Sequence, residues 1–285
     1  MPDPALLGKS EVLVAATDRP RLDGRFWREL WAYREAFRVL VMRSIRVRYK
    51  QTAVGVAWVV LRPVLLVAVL TVVFGFLAGL RGQGPIPYTL LVLSGVLGWQ
   101  FFASALAEAA NSLVANAQII GKVYCPRVLF PASVLASALI DLVVTLPLMI
   151  PLMLWYDYLP GWSLLALPFA LLLLATITLG FGLWAAALNV RYRDFAILIP
   201  FALQIGFFAS PVAYPLSVIP STWQWLYQLN PMVGVLEFLR WCLLGGEAAS
   251  NLPAVLAWSV LFAGVQLASG LYYFHRVERD FADIV

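Results

Sequence analysis

Between Phe195 and Val212 the chain runs eighteen residues without an Asp, Glu, Lys or Arg. A helix of this length can cross a hydrocarbon core about 30 Å thick, at 1.5 Å of rise per residue. Pro200 and Gln204 sit inside the run, and a purely lipid-facing anchor has little use for either. Proline removes a backbone hydrogen bond and the amide needs a partner, so both are tolerated where a neighbouring helix or a watery cavity satisfies them. The stretch is expected to face protein or a passage. Arg191, Arg193 and Asp194 form a charged knot before it, and Pro211 and Pro215 close it.

Comparable apolar runs recur along the chain. Of its 285 residues 62% are hydrophobic and 12% charged, against roughly a quarter charged in soluble domains. The expected fold is an all-α polytopic membrane protein with six transmembrane helices, near 57–80, 88–114, 128–154, 164–188, 195–212 and 253–275. The third is expected to kink at Pro147 and Pro151. Residues 1–24 read as a polar cytoplasmic lead, 25–50 as an interfacial amphipathic helix and basic segment, and 51–285 as the transmembrane domain. In the amphipathic helix Phe26, Leu30, Tyr33, Phe37 and Leu40 share one face, while Arg25, Arg28, Glu35 and Arg38 occupy the rest. Between the fifth and sixth spans, residues 216–246 are too apolar for a solvated loop, and Pro215, Pro220 and Pro231 cut them into pieces. Short re-entrant helices fit such a segment.

Placement of the cations orients the chain. All but Arg62, Arg81 and Arg240 of the 20 Lys and Arg residues fall on one side of this topology. The positive-inside rule then puts both termini in the cytoplasm, and the protein is expected to be a multi-pass protein of the cytoplasmic (inner) membrane. The excess positive charge is read as this asymmetry, with no nucleic-acid partner. Arg62 lies just inside the membrane on the cytoplasmic side. Cys125 and Cys242 fall on opposite sides, so no disulfide is expected between them. Cys242 is expected to react more readily with an impermeant thiol reagent, provided its pocket is open. No short basic region leads into an apolar core and cleavage site, so no signal peptide is expected.

Several motifs, in order, resemble one family. They are Tyr49-Lys50-Gln51-Thr52 with Gly55, Trp58 and Pro63; the run ending Lys122-Val123-Tyr124-Cys125-Pro126-Arg127; the loop Asn189-Val190-Arg191-Tyr192-Arg193-Asp194; Gln204 with Phe208, Ser210 and Pro211; and Asn230-Pro231-Met232 with Arg240. Together they resemble the permeases of type-2 ABC exporters, in the branch that exports O-antigen, capsule and teichoic-acid polymers on lipid carriers. The resemblance extends over roughly residues 30–275. It implies a homodimer of permeases with two separate ATPase subunits. A lipid-linked glycan would pass between the permeases along their first and fifth spans. The chain carries no GxxxxGK followed by Ser or Thr. No cofactor is therefore expected here, with ATP and Mg bound by the partner ATPase.

Within that frame the candidate residues fall into three groups, each with a plainer alternative. Arg43, Arg46, Arg48, Lys50 and Arg62 suit an anionic diphosphate headgroup, because guanidinium geometry matches phosphate oxygens. The positive-inside pattern alone would also account for most of them, and snorkelling for Arg62. Trp58, Phe74, Gln204, Phe207, Phe208 and Tyr214 are candidate channel lining, flat apolar faces and an amide for sugars; aromatics at such depths also form interfacial belts. Asn116, Gln118, Ile119, Ile120, Lys122 and Tyr124 are candidates for ATPase coupling, in a short cytoplasmic loop with an apolar face. Glu108 and Asp141 are the only carboxylates deep in predicted spans; they mark functional positions or tie helices together. His275 is expected to be an interfacial anchor, and no catalytic or metal-binding residue is expected. Two other functions compete: a type-2 exporter of drugs or small lipids, and a membrane-embedded glycan-modifying enzyme, which would want an acid or metal-ligand cluster at the membrane surface.

Overall fold

Prolines and apolar runs dictate where the helices stop. A computed structural model describes residues 24–50, 57–80, 86–122, 125–245 and 252–278, and these are helical nearly throughout. The elements are α1 (Gly24–Ala32), α2 (Arg34–Lys50), α3 (Ala57–Leu70, extended by π-helical Thr71–Leu77), α4 (Tyr88–Ala115), α5 (Ala117–Ile120) and α6 (Leu129–Thr145). They continue with α7 (Met149–Trp155), α8 (Leu167–Arg191), α9 (Phe195–Phe208), α10 (Ser221–Gln228), α11 (Pro231–Leu244) and α12 (Leu252–Val277). Of the expected lead at residues 1–24, all but Gly24, which opens α1, lies outside the described residues.

Among the described residues five helices are long and apolar enough to cross a membrane: α3 with its extension, α4, α6 with α7, α8 with the turn before it, and α12. The kink between α6 and α7 falls at Leu146–Leu148, around Pro147. The expected fifth span behaves differently. Its helix has 14 residues and stops at Phe208, about 21 Å of rise. Beyond it Pro211 cannot donate to a continuing helix, and the carbonyls released there find other donors. Asn230 Nδ2 donates to the Ala209 carbonyl at 3.1 Å and to Ser210 Oγ at 3.0 Å. Arg240 Nη2 donates to the Pro211 carbonyl at 2.7 Å, and the Tyr88 hydroxyl to the Ala213 carbonyl at 2.6 Å. The turn lies so close to α4 that a Cβ on Gly95 would stand 2.4 Å from the Val212 carbonyl oxygen.

At the centre is α4, packed against α3, α6, α8, α9 and α11. On its far flank α8 meets α12 at a small-residue contact, where a Cβ on Gly270 would stand 2.7 Å from the Gly180 carbonyl. Helix α11 is part of the core. Asn230 caps it through Oδ1 to the Met232 amide at 3.0 Å, and Val233, Val235, Leu236 and Leu239 are fully buried against the core. Cys242 is equally buried and Cys125 only partly. The expectation that Cys242 would be the readier thiol is therefore corrected: its side chain is fully buried, whereas that of Cys125 is partly exposed.

The N-terminal amphipathic segment is two helices that break at Tyr33. Its apolar face packs on the protein itself. The Phe26 ring meets His275 edge-on at 4.7 Å, Leu30 and Leu40 join the same cluster, and α2 lies along α6.

Candidate functional site

Helix α2 carries its arginines to three different fates. Arg43 Nη1 donates to Asn116 Oδ1 at 2.7 Å, at the start of α5. Arg46 is exposed. Arg48 reaches into the bundle, where Nη1 donates to Asp141 of α6 and Nη2 to Glu108 of α4, while the Tyr49 hydroxyl donates to the other Asp141 oxygen. The Arg48 and Asp141 side chains are only 23% and 18% exposed. Buried charge is costly unless paired, and one guanidinium shared by two carboxylates answers that requirement. The Lys50 side chain lies outside the described ones.

Beside this network opens a cavity of about 650 Å3, lined by Arg48, Tyr49, Trp58, Arg62, Trp99, Gln100, Glu108, Asp141 and Thr145 among others. Its walls come from the foot of α3, the middle of α4 and α6, and the end of α2. Arg62 is exposed to it, with no ion pair to any described residue. Here the structure brings together three residues that the sequence nominated separately: Arg48 and Arg62 from the headgroup group, and Trp58 from the channel group. The pairing of Glu108 and Asp141 with Arg48 was legible in principle, since carboxylates at membrane depth demand a partner. Which arginine supplies it was not. Gln100 was missed, although a mid-span amide is the same signal that singled out Gln204.

The remaining aromatic candidates do not converge on this cavity. Phe207 meets Trp99 edge-on at 6.2 Å and Phe208 at 5.2 Å. Trp99 thus links the cavity to α9. Gln204 and Phe208 are exposed on α9. Phe74 packs against the core. Tyr214 donates to the Phe208 carbonyl at 2.6 Å and sits 2.5 Å from the Tyr227 hydroxyl. A smaller apolar hollow of about 330 Å3, lined by Ala209, Ile219, Trp223, Leu226, Tyr227 and Asn230, lies nearby.

The loop from Asn116 to Arg127 is held at both ends by other parts of the chain. Asn116 takes the bond from Arg43. Arg127 donates through its amide to Glu278 Oε1 at 3.2 Å and through Nη1 to the Glu278 carbonyl. His275 Nδ1 donates to Glu278 Oε2 at 3.0 Å, so the end of α12 fixes the loop. Ile119 and Ile120 turn partly into the cluster around Leu113 and Val128, while Gln118 and Lys122 are exposed. Tyr124 lies outside the described residues. Burial pushes the Cys125 thiol above its ordinary pKa, with Arg127 opposing the shift.

Similarity to known proteins extends over most of this architecture. The family described as ABC-2 type transporter matches residues 35–244. The chain is similar to the O-antigen export system permease protein RfbA of Myxococcus xanthus, 33% identical over 215 residues, 74% of this chain and 81% of that one. It is 26% identical to a protein of the same name from Klebsiella pneumoniae over 249 residues, 87% of this chain and 93% of the relative. It is 27% identical to the polysialic acid transport protein KpsM of Escherichia coli over 246 residues, 84% and 92% of the two.

Proposed function

The chain belongs to the ABC-2 type transporter family, and from that premise we propose that it is the permease subunit of an exporter for a lipid-linked polysaccharide. The observation that carries this reading is the length of the match: relatives named for O-antigen export and polysialic acid transport align over 81%, 93% and 92% of their own chains. Two copies pair in the cytoplasmic membrane, each crossing it six times with both termini inside, and α9 with the turn after it supplies the fifth crossing. Support for the pairing comes from α3 and α9, whose Leu65, Val69, Phe201 and Phe208 stand exposed in the single chain.

A separate ATPase, two copies on the cytoplasmic face, binds ATP and Mg and drives transport. It docks on the loop of α5 through Gln118 and Lys122 and the outer parts of Ile119 and Ile120. The bonds of Arg43 and Glu278 at the two ends of this loop support that role, since a contact that transmits motion must be firmly attached. The diphosphate headgroup enters beside Arg46 and Arg62, within the potential of Arg43 and Lys50. Arg48 acts from behind, because its charge is already shared by Glu108 and Asp141. The glycan follows along Trp58, Phe74, Phe207, Phe208 and Gln204 and leaves past Tyr214. A diphosphate cannot cross hydrocarbon unaccompanied, as a bare charge there costs at least about 2.5 kcal/mol.

Inactivating the gene in its host tests the reading. The expected result is loss of surface polymer with build-up of lipid-linked glycan on the cytoplasmic side, both reversed by the gene in trans. Unchanged surface polymer would overturn it.

A further inference from the structure

The cavity beside Arg48 has the wrong charge balance for a site that holds only a phosphate. Of its described charged side chains, Arg48 and Arg62 are offset by Glu108 and Asp141, and Arg48 is spent on both acids. One cation, Arg62, makes no ion pair with a described residue. Three further groups point into the space without a described partner of their own. The Gln100 amide lies midway along α4, where an unsatisfied amide is costly. Glu108 Oε1 is free, because Arg48 takes Oε2. The indole of Trp58 is 48% exposed on the wall.

We propose that this cavity is a sugar subsite, which seats the first sugar ring of a polyprenyl-diphosphate glycan while Arg62 holds the adjoining phosphate. The inference rests on the proposed export of a lipid-linked glycan and assigns its substrate a place. A sugar ring has apolar C–H faces and hydroxyls around its edge. The face stacks on Trp58, as pyranose faces require a flat apolar surface. One hydroxyl donates to Glu108 Oε1, and another pairs with the Gln100 amide, which can both donate and accept. Near-neutral charge over the acids and arginines favours a polyhydroxyl ligand over a second anion. A volume of about 650 Å3 falls within the range of roughly 300–1,000 Å3 of ligand pockets, enough for the ring with its phosphate. Arg48, Tyr49 and Asp141 are positioning residues: they fix the Glu108 carboxylate and touch no ligand.

The experiment uses the full-length chain in nanodiscs and two probes, farnesyl diphosphate and its N-acetylglucosaminyl derivative, with binding read by native mass spectrometry. The sugar-bearing probe is expected to bind about tenfold more tightly than the bare diphosphate, the scale of one stacked ring and a hydrogen bond. Trp58→Ala and Gln100→Leu should each erase most of that preference and leave the bare diphosphate bound as before, whereas Trp58→Tyr should keep it. Arg62→Gln should weaken both probes. Trp58 is half-exposed and neither it nor Gln100 joins the ion-pair network, so the melting temperatures of these variants should match the parent and rule out misfolding. A preference that survives both Trp58→Ala and Gln100→Leu overturns the sugar subsite. So does the absence of any preference in the parent, or equal competition by phosphatidylglycerol, which would make the cavity a membrane-lipid site. In each of those cases binding of the bare diphosphate leaves the export reading standing; only failure of both probes to bind counts against that reading as well.

Discussion

Helices α3 and α4 follow one another in the chain and are both apolar, yet they end in opposite surroundings. Of the most apolar eighteen residues of each helix, 78% are buried in α4 and 22% in α3 with its extension. The difference lies in residue size. Helix α4 presents Gly95, Gly98, Ala105 and Ala109 to its neighbours, and small residues allow helix backbones to approach closely where the hydrophobic effect gives no preference between lipid and protein. Helix α3 carries Leu61, Val64, Leu65, Val69, Val72 and Phe76 exposed along its length. Hydropathy says that a helix belongs in the membrane; the distribution of small side chains says whether it belongs in the middle of the protein.

The contrast breaks most severely at the charged seam where α2 joins α4 and α6. Arg48→Ala would take from Glu108 and Asp141 the cation they share; Asp141 is only 18% exposed but Glu108 44%, so the loss falls at the lower end of the about 3–5 kcal/mol of a broken buried pair. Thermal unfolding in detergent should show a large drop in midpoint, and adding Glu108→Gln and Asp141→Asn should recover most of it. A smaller effect is expected at Gly95→Val, whose new side chain would meet the Val212 carbonyl. Overpacking of this kind costs about 1–3 kcal/mol, and the turn after α9 should open, read as faster proteolysis near Ser210. The smallest effect belongs to α3 and α9. Leu65→Ala and Phe201→Ala remove exposed side chains and should shift monomer stability by no more than about 0.5 kcal/mol, while lowering the fraction recovered as dimer by size-exclusion chromatography. A loss of monomer stability as large as that of Gly95→Val would erase the distinction between the two helices.

Much of this arrangement could be read before the structure. Uncharged runs located the long helices within a few residues, because exclusion of charge from hydrocarbon acts on each residue locally. Prolines located the break at Leu146–Leu148 and the pieces between α9 and α12. The early stop of α9 was harder to read, since it depends on Asn230 and Arg240, far along the chain, receiving the carbonyls of Ala209 and Pro211. The site divided in the same way. Residue type nominated Arg48, Arg62, Glu108 and Asp141, and the family resemblance Trp58, but pairing is a property of three-dimensional proximity. Arg48 and Asp141 are 93 residues apart, and no local pattern announces their meeting. Periodicity marked an apolar face on α1 and α2, expected to lie on the membrane surface; its contact with His275 and the end of α12 had no signal in the periodicity, which reports that a face is apolar and not what covers it.

The central claim is that the uncovered faces of α3 and α9 meet across a pair of chains and bound the passage between them. Disulfide cross-linking in membranes tests it directly, in a background of Cys125→Ser and Cys242→Ala. Leu65→Cys combined with Phe201→Cys should give a covalent dimer under mild oxidation, whereas Phe169→Cys on α8 combined with Val265→Cys on α12, equally exposed in the single chain, should remain monomeric. Dimers trapped through α8 and α12, with none through α3 and α9, would contradict the account.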